Sequence, residues 1–195
     1  MAHRLARHLP NLLTLFRMLL VWPLVEALLA GRYGRALSLF LLAGFTDGLD
    51  GFLARRYRWT SRLGGLLDPV ADKLLMVSSF LALAAAGIIP GWLVWLVIGR
   101  DLVIVTGALA YHLLIEPLVA EPLLISKFNT LVQLLYVFAH LYDRGYAPLD
   151  PGWLQALQWG LVFTTLSSGL LYVWIWSRRA ILKKKEGRGG EGAGS

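Results

Sequence analysis

Residues 36–54 read ALSLFLLAGFTDGLDGFLA, and residues 62–89 read RLGGLLDPVADKLLMVSSFLALAAAGII. Each is a long apolar run with two aspartates near one end: Asp47 and Asp50 close the first, Asp68 and Asp72 open the second. A helix needs about 20 mostly apolar residues to cross the hydrocarbon core of a bilayer, and residues 36–54 and 70–89 approach that length. On a helix, Asp47 and Asp50 (three apart) share a face, as do Asp68 and Asp72 (four apart). Two antiparallel helices can therefore point all four carboxylates at one spot.

Outward from this centre the chain keeps the same character. Its 195 residues are 57% hydrophobic and only 16% charged, with a mean hydropathy of +0.60, which does not suit a water-soluble globule. Six stretches have the length of a membrane span: Leu12–Ala30, Ala36–Ala54, Val70–Ile89, Trp92–Ile115, Leu123–Tyr142 and Trp153–Trp176. The expected fold is therefore an all-α integral membrane protein of six transmembrane helices over residues 1–179, with no second domain. Absence of cysteine excludes disulfide scaffolds, Cys-ligated zinc, iron–sulfur clusters and thiol catalysis. A net charge of +7 suggests nucleic acid only until the basic residues are placed. Twelve of them (Arg4, Arg7, Arg55, Arg56, Arg58, Arg62, Arg178, Arg179, Lys183, Lys184, Lys185 and Arg188) fall on the side of the termini, against Arg32, Arg35 and Arg144 on the other. By the positive-inside rule both termini and the loop after the second span are expected in the cytoplasm. Arg17 and Glu26 interrupt the first apolar stretch and no convincing cleavage site follows, so it reads as a span and not a secretory signal. Residues 180–195, basic and then Gly-rich, are expected to form a disordered tail; its cations either hold anionic head groups or orient the last span.

Acidic residues in spans are costly, so their position is informative. Four carboxylates at one place need compensation, and two divalent cations would cancel the formal minus four. Oxygen-only ligands favour Mg²⁺, Mn²⁺ or Ca²⁺ over zinc or copper. Helix caps or ion pairs with Arg55, Arg56 or Arg62 would explain one or two of the aspartates, but not four on two facing stripes. Gly48, Gly51 and Gly64 let backbones approach each other or a ligand. The arginines of the loop 55–62 suit a phosphate-bearing ligand, or simply an inside-facing loop.

Together these residues spell Asp47-x-x-Asp50-Gly51-x-x-Ala54-Arg55, eight residues, Gly64-x-x-x-Asp68-x-x-x-Asp72. This resembles the signature of the CDP-alcohol phosphatidyltransferases at all eight of its fixed positions. Pro10-Asn11-x-x-Thr14-x-x-Arg17 is similar to the family's opening to its first span, and six spans is the family's architecture. The resemblance implies an integral membrane enzyme that displaces CMP from CDP-diacylglycerol by an acceptor hydroxyl, with a divalent-metal site (two Mg²⁺ or Mn²⁺) at the cytoplasmic ends of the second and third spans, as in a bacterial inner membrane. By position it implies Asp47, Asp50, Asp68 and Asp72 as metal ligands, Asp72 also as general base, and Gly51, Ala54, Arg55 and Gly64 as the cradle for cytidine and diphosphate. Asn11, Thr14 and Arg17 fall within a 120° arc of a helix and can line the same cavity. Arg17 is expected either at an acceptor phosphate or in an ion pair with a motif aspartate. The resemblance also implies a homodimer.

Arg100, in Gly99-Arg100-Asp101, and Lys127, in Ser126-Lys127-Phe128-Asn129-Thr130, are charges within or beside later spans and are expected to grip an acceptor phosphate. A purely structural Arg100–Asp101 pair, and a snorkelling Lys127, are the alternatives. Ile125–Thr130 with Val132-Gln133-Leu134, and Asp101 after Arg100, look more like the cardiolipin synthases of the mitochondrial type, which favours phosphatidylglycerol as acceptor. Thr14–Arg17 and Phe52–Arg56 look like the phosphatidylglycerophosphate synthases, which take glycerol 3-phosphate. Partners are thus CDP-diacylglycerol, one of these acceptors and membrane lipids, with no nucleic acid. Two readings of other classes are a divalent-cation transporter, for which acidic residues through the membrane depth are expected but not seen, and a catalytically silent scaffold.

Overall fold

The computed structural model describes residues 9–57, 62–114 and 124–191. Arg4 and Arg7, residues 58–61 of the basic loop with Arg58, and residues 115–123 and 192–195 lie outside the described residues. Six helices run through the described residues, which include no strand: α1 Leu9–Leu29, α2 Tyr33–Tyr57, α3 Arg62–Ala85, α4 Gly91–Leu114, α5 Leu124–Gly145 and α6 Pro151–Glu191. Five, all but α3, are long and apolar enough to cross a membrane, which fits an integral membrane protein. The charges of Asp68, Asp72 and Lys73 sit in α3, so its apolar part is shorter than the expected third span.

That span also ends earlier than the run of apolar residues suggests. Gly87 adopts a left-handed φ of 71°. Its N–H donates to the Ala84 carbonyl (2.9 Å) and the Ile88 N–H to that of Leu83 (3.0 Å). These are the two bonds of a glycine-terminated helix end, which satisfy carbonyls that would otherwise be orphaned. Gly31 (φ 70°) closes α1 in the same way, with Arg32 N–H donating to the Ala27 carbonyl at 2.8 Å. At the start of α6, Asp150 Oδ1 accepts the Gly152 N–H (2.7 Å) and Pro151 takes the first helical position, where its missing N–H costs nothing. At its other end α6 continues past Arg179 to Glu191, where the composition predicts disorder. Ala180 to Glu186 are mostly good helix formers, so a helix already nucleated extends through them at little cost; the glycines at 187, 189 and 190 give no such support.

The chain divides into two compact units, one of Met1–Val94 with Gln133–Gln155 and one of Trp95–Val132 with Ala156–Ser195. In the first, α1 packs against both α2 and α3. Leu20, Leu24, Ala27 and Leu28 of α1 are buried, as are Leu37, Phe40 and Ala43 of α2 and Leu75, Phe80 and Leu83 of α3. The rings of Phe80 and Tyr136 stack 5.9 Å apart. The outward face of α1 is as apolar as the inward one: Leu12, Leu19 and Trp22 are exposed, while the largest fully buried side chain is Arg17. A water-soluble helix shows the reverse arrangement, and apolar side chains all round mark a helix surrounded by lipid.

Also within the first unit, α2 and the end of α5 touch backbone to backbone. A Cβ on Gly145 would lie 2.7 Å from the Gly34 nitrogen and 2.9 Å from the Tyr33 carbonyl carbon, whereas one on Gly160 would meet nothing within 4 Å. We expect Gly145→Ala to cost about 1–3 kcal/mol through forced backbone displacement and Gly160→Ala to leave stability unchanged or raise it by up to about 1 kcal/mol. Thermal unfolding in detergent checks this, and equal midpoints for the two variants would refute the close contact.

Candidate active site at the motif aspartates

Thr14 and Arg17 stand one turn apart on the buried stripe of α1 and meet the motif helices. The Arg17 guanidinium pairs with three of the four aspartates: Nη1 with Asp47 (2.5 Å) and with Asp72, and Nη2 with Asp50. The fourth, Asp68, accepts the Thr14 hydroxyl at 2.5 Å, and Thr14 Oγ1 also lies 3.5 Å from Asp50 Oδ2. Thus Asp47 and Asp50 from α2, and Asp68 and Asp72 from α3, gather at two adjacent side chains of α1. Of the two expectations for Arg17, the ion pair is the one found. The guanidinium is fully buried, as is nearly all of Asp50, whose side chain is 4% exposed, while Asp47 and Asp72 are about half exposed at 48% and 54%. One edge of the cluster is therefore sealed and the other is open.

The arrangement carries a surplus of negative charge. Four carboxylates against one guanidinium leave a formal minus three, and Arg17 Nε has no hydrogen-bond partner among the described residues. Among those residues no group of three acidic or histidine side chains is drawn together closely enough to hold a metal ion. Hard oxygen donors in excess of their counter-charge nonetheless form the donor set that suits Mg²⁺ or Mn²⁺.

The other expected residues fall into place unevenly. Asn11 is half-buried one turn before Thr14, Gly51 is half-buried on α2 beside Asp50, and Gly64 is buried in the first turn of α3. The side chains of Ala54 and Arg55 lie outside the described residues. Of the two expectations for Gly48, close helix packing is not found: a Cβ there would meet nothing within 4 Å, which leaves open space between the two aspartates of α2. Lys127 is exposed near the start of α5.

Arg100 belongs to the second unit, where its surroundings were only partly foreseen. Its Nη1 donates to Asp101 Oδ1 (2.7 Å), the pair considered from sequence, and its Nη2 to Ser126 Oγ (2.7 Å) and Ser168 Oγ (2.5 Å). Sequence reasoning missed Ser168 and the adjacent Thr164 and Thr165. The available signal was the run TTLSS, residues 164–168, four hydroxyls inside an otherwise apolar span.

Comparison with known proteins places this geometry in a family context. The family model described as CDP-alcohol phosphatidyltransferase matches residues 7–170. The chain is similar to the cardiolipin synthase (CMP-forming) of Rattus norvegicus, 36% identical over 180 residues that cover 84% of this chain and 60% of that protein. It is similar to the cardiolipin synthase (CMP-forming) of Streptomyces coelicolor, 33% identical over 184 residues, 85% of this chain and 80% of the other. A chloroplastic CDP-diacylglycerol–glycerol-3-phosphate 3-phosphatidyltransferase of Oryza sativa is 32% identical over 187 residues, 85% of this chain and 56% of that protein. The chain therefore spans about 60% of the length of the rat relative.

Proposed function

This chain belongs to the CDP-alcohol phosphatidyltransferase family, and from that premise we infer that it transfers the phosphatidyl group of CDP-diacylglycerol to a glycerol-phosphate-type acceptor and releases CMP. The observation that carries the reading is the convergence of all four motif aspartates on the Thr14–Arg17 stripe of α1. Asp47, Asp50, Asp68 and Asp72 would hold two divalent cations, Mg²⁺ or Mn²⁺, whose charge would offset the charge developing on the leaving CMP. Asp72, half exposed on the open edge of the cluster, takes the proton of the acceptor hydroxyl as general base. The acceptor oxygen forms its bond to the lipid-side phosphorus of the diphosphate, and the bond from that phosphorus to the oxygen of CMP breaks. Gly51, Ala54, Arg55 and Gly64, with Asn11 and Thr14, line the space for cytidine and diphosphate. Arg17 holds the aspartates in register before substrate arrives.

Phosphatidylglycerol is our preferred acceptor, since relatives from rat and Streptomyces are named cardiolipin synthase; the rice relative's name supports glycerol 3-phosphate as the second reading. Arg100 and Lys127 grip the acceptor phosphate. The active site faces the cytoplasm of a bacterial inner membrane, with both termini on that side, and the enzyme works as a homodimer. The deciding experiment follows CMP release from CDP-diacylglycerol by the purified protein in detergent with Mg²⁺ or Mn²⁺. Release with phosphatidylglycerol alone is the expected result and means cardiolipin synthesis. Release with glycerol 3-phosphate alone moves the protein to phosphatidylglycerophosphate synthesis, and silence with both reopens the identity of the acceptor together with the transporter and scaffold readings.

Lys127 offers a narrower test. Replacing it by Ala is expected to raise the acceptor KM about tenfold, the worth of one charge-assisted hydrogen bond, with little change in KM for CDP-diacylglycerol. Equal effects on both substrates would remove Lys127 from the acceptor site.

A further inference from the structure

The Arg17 guanidinium draws on the same oxygens that the proposed cations need. Its Nη1 pairs with Asp47 Oδ1 and Asp72 Oδ1, and its Nη2 with Asp50 Oδ2, all within the first compact unit. Every one of these oxygens taken by a cation is lost to Arg17. The N–H at Nε is buried with no hydrogen-bond partner among the described residues. A buried donor without an acceptor costs free energy, so the aspartates satisfy only part of this side chain.

Charge sharpens the competition. Four carboxylates and two divalent cations sum to zero, so the positive charge of the fully buried Arg17 would then stand beside like charges with no counter-ion, which is unfavourable. Cations alone are therefore opposed by Arg17. A diphosphate alone is opposed by the formal minus three of the aspartates with Arg17. Together they relieve each other, because the two ionised oxygens of a diphosphate bring the whole assembly to a formal minus one. The way in lies on the open edge, where Asp47 and Asp72 are half exposed and both meet Nη1. Nε–H and an Nη–H of a guanidinium form a fork that matches two oxygens of a phosphate, and such a contact satisfies the donor that the aspartates leave unpaired.

We propose that Arg17 couples the binding of the cations to that of the diphosphate: it occupies the carboxylates until both arrive, and then turns its N–H donors to the diphosphate. The inference rests on the metal and substrate assignments made above. It adds to them a reason for cation and nucleotide to bind as a pair and a residue that enforces the pairing. Each ligand then tightens the other by the same factor.

The test titrates the full chain in detergent with Mn²⁺, read as loss of the free-ion electron paramagnetic resonance signal, with and without saturating CDP as a soluble probe. A protein-free blank containing the same CDP corrects for Mn²⁺ bound in solution. The ratio of the two Kd values for Mn²⁺ is the coupling, expected in the parent at about 5- to 150-fold, the usual range between linked sites. Arg17→Gln is expected to bind Mn²⁺ alone about tenfold more tightly than the parent and to lower the ratio about fivefold, since the competitor and the phosphate donor are lost together. Equal ratios in Arg17→Gln and the parent overturn the inference, even if the variant binds Mn²⁺ alone more tightly, because removing any nearby positive charge has that effect. If Arg17→Gln does not fold, Arg17→Lys decides: its point charge cannot serve three carboxylates or a phosphate as the fork does, so a ratio about threefold below the parent's is expected and the parental ratio overturns the inference. Either failure leaves phosphatidyl transfer intact where the parent releases CMP from CDP-diacylglycerol. Absence of Mn²⁺ binding by the parent, with and without CDP, overturns the metal assignment itself, and this inference with it.

Discussion

Replacing Arg17 by Ala is expected to destabilise the protein by about 3–5 kcal/mol, the usual consequence of removing one partner from a buried ion pair. The cost comes mainly from Asp50, which is 4% exposed and would be left buried beside like charges. Asp47 and Asp72, half in solvent, add little, because exposed pairs contribute at most about 1 kcal/mol. Arg17→Lys should recover only part of the loss, since an ammonium is a point charge and cannot reproduce the fork with which the guanidinium serves three carboxylates. Thermal unfolding in detergent with a chelator present measures this directly. Adding Mg²⁺ or Mn²⁺ should then stabilise Arg17→Ala more than the parent, because the carboxylates freed of the guanidinium bind the cation more tightly and a ligand restricted to the folded state raises stability with the logarithm of its affinity. An unchanged midpoint for Arg17→Ala, or equal metal stabilisation of variant and parent, would show that Arg17 is not the counter-ion of the cluster.

The second large effect is expected at Asp72. Asn at this position keeps the shape and removes the base, so kcat for CMP release should fall by about 10²- to 10⁴-fold, the range of a positioned general base. Binding of CDP-diacylglycerol should persist, and so should stability, because the Asp72 side chain is 54% exposed and its bond to Arg17 is one of three. Rate loss with retained binding separates a chemical role from a structural one. Turnover near the parental rate would assign the base to another residue, and loss of CDP-diacylglycerol binding would make Asp72 chiefly a ligand for the metal or the diphosphate.

Much of the fold was legible in one dimension. Lengths of apolar runs place α1, α2, α4, α5 and α6 within a few residues of the expected spans at most ends, because span length is set by bilayer thickness and helical rise. Around the run 70–89, helix α3 begins eight residues earlier, at Arg62 within the motif, and ends at Ala85, where Gly87 closes it before the hydrophobicity does. The four aspartates were legible too, since spacings of three and four put side chains on one helix face whatever the surroundings.

Which partners those side chains take was not legible in the same way. Arg17 finds Asp47, Asp50 and Asp72 across 30 to 55 residues, and Arg100 finds Ser168 across 68. In a water-soluble helix the apolar stripe announces which face turns inward. Here Leu19 and Trp22 outside are as apolar as Leu20 and Leu24 inside, so hydrophobic periodicity cannot orient the helix. The sequence by itself determined a helical membrane protein, its family motif and the two pairs of carboxylates, because these depend on length and local spacing. Only the tertiary structure decided that Thr14 and Arg17 meet the aspartates and that Arg100 meets Ser126 and Ser168, because lipid makes the apolar faces interchangeable and leaves the choice of inward face to the pairing of the few polar groups.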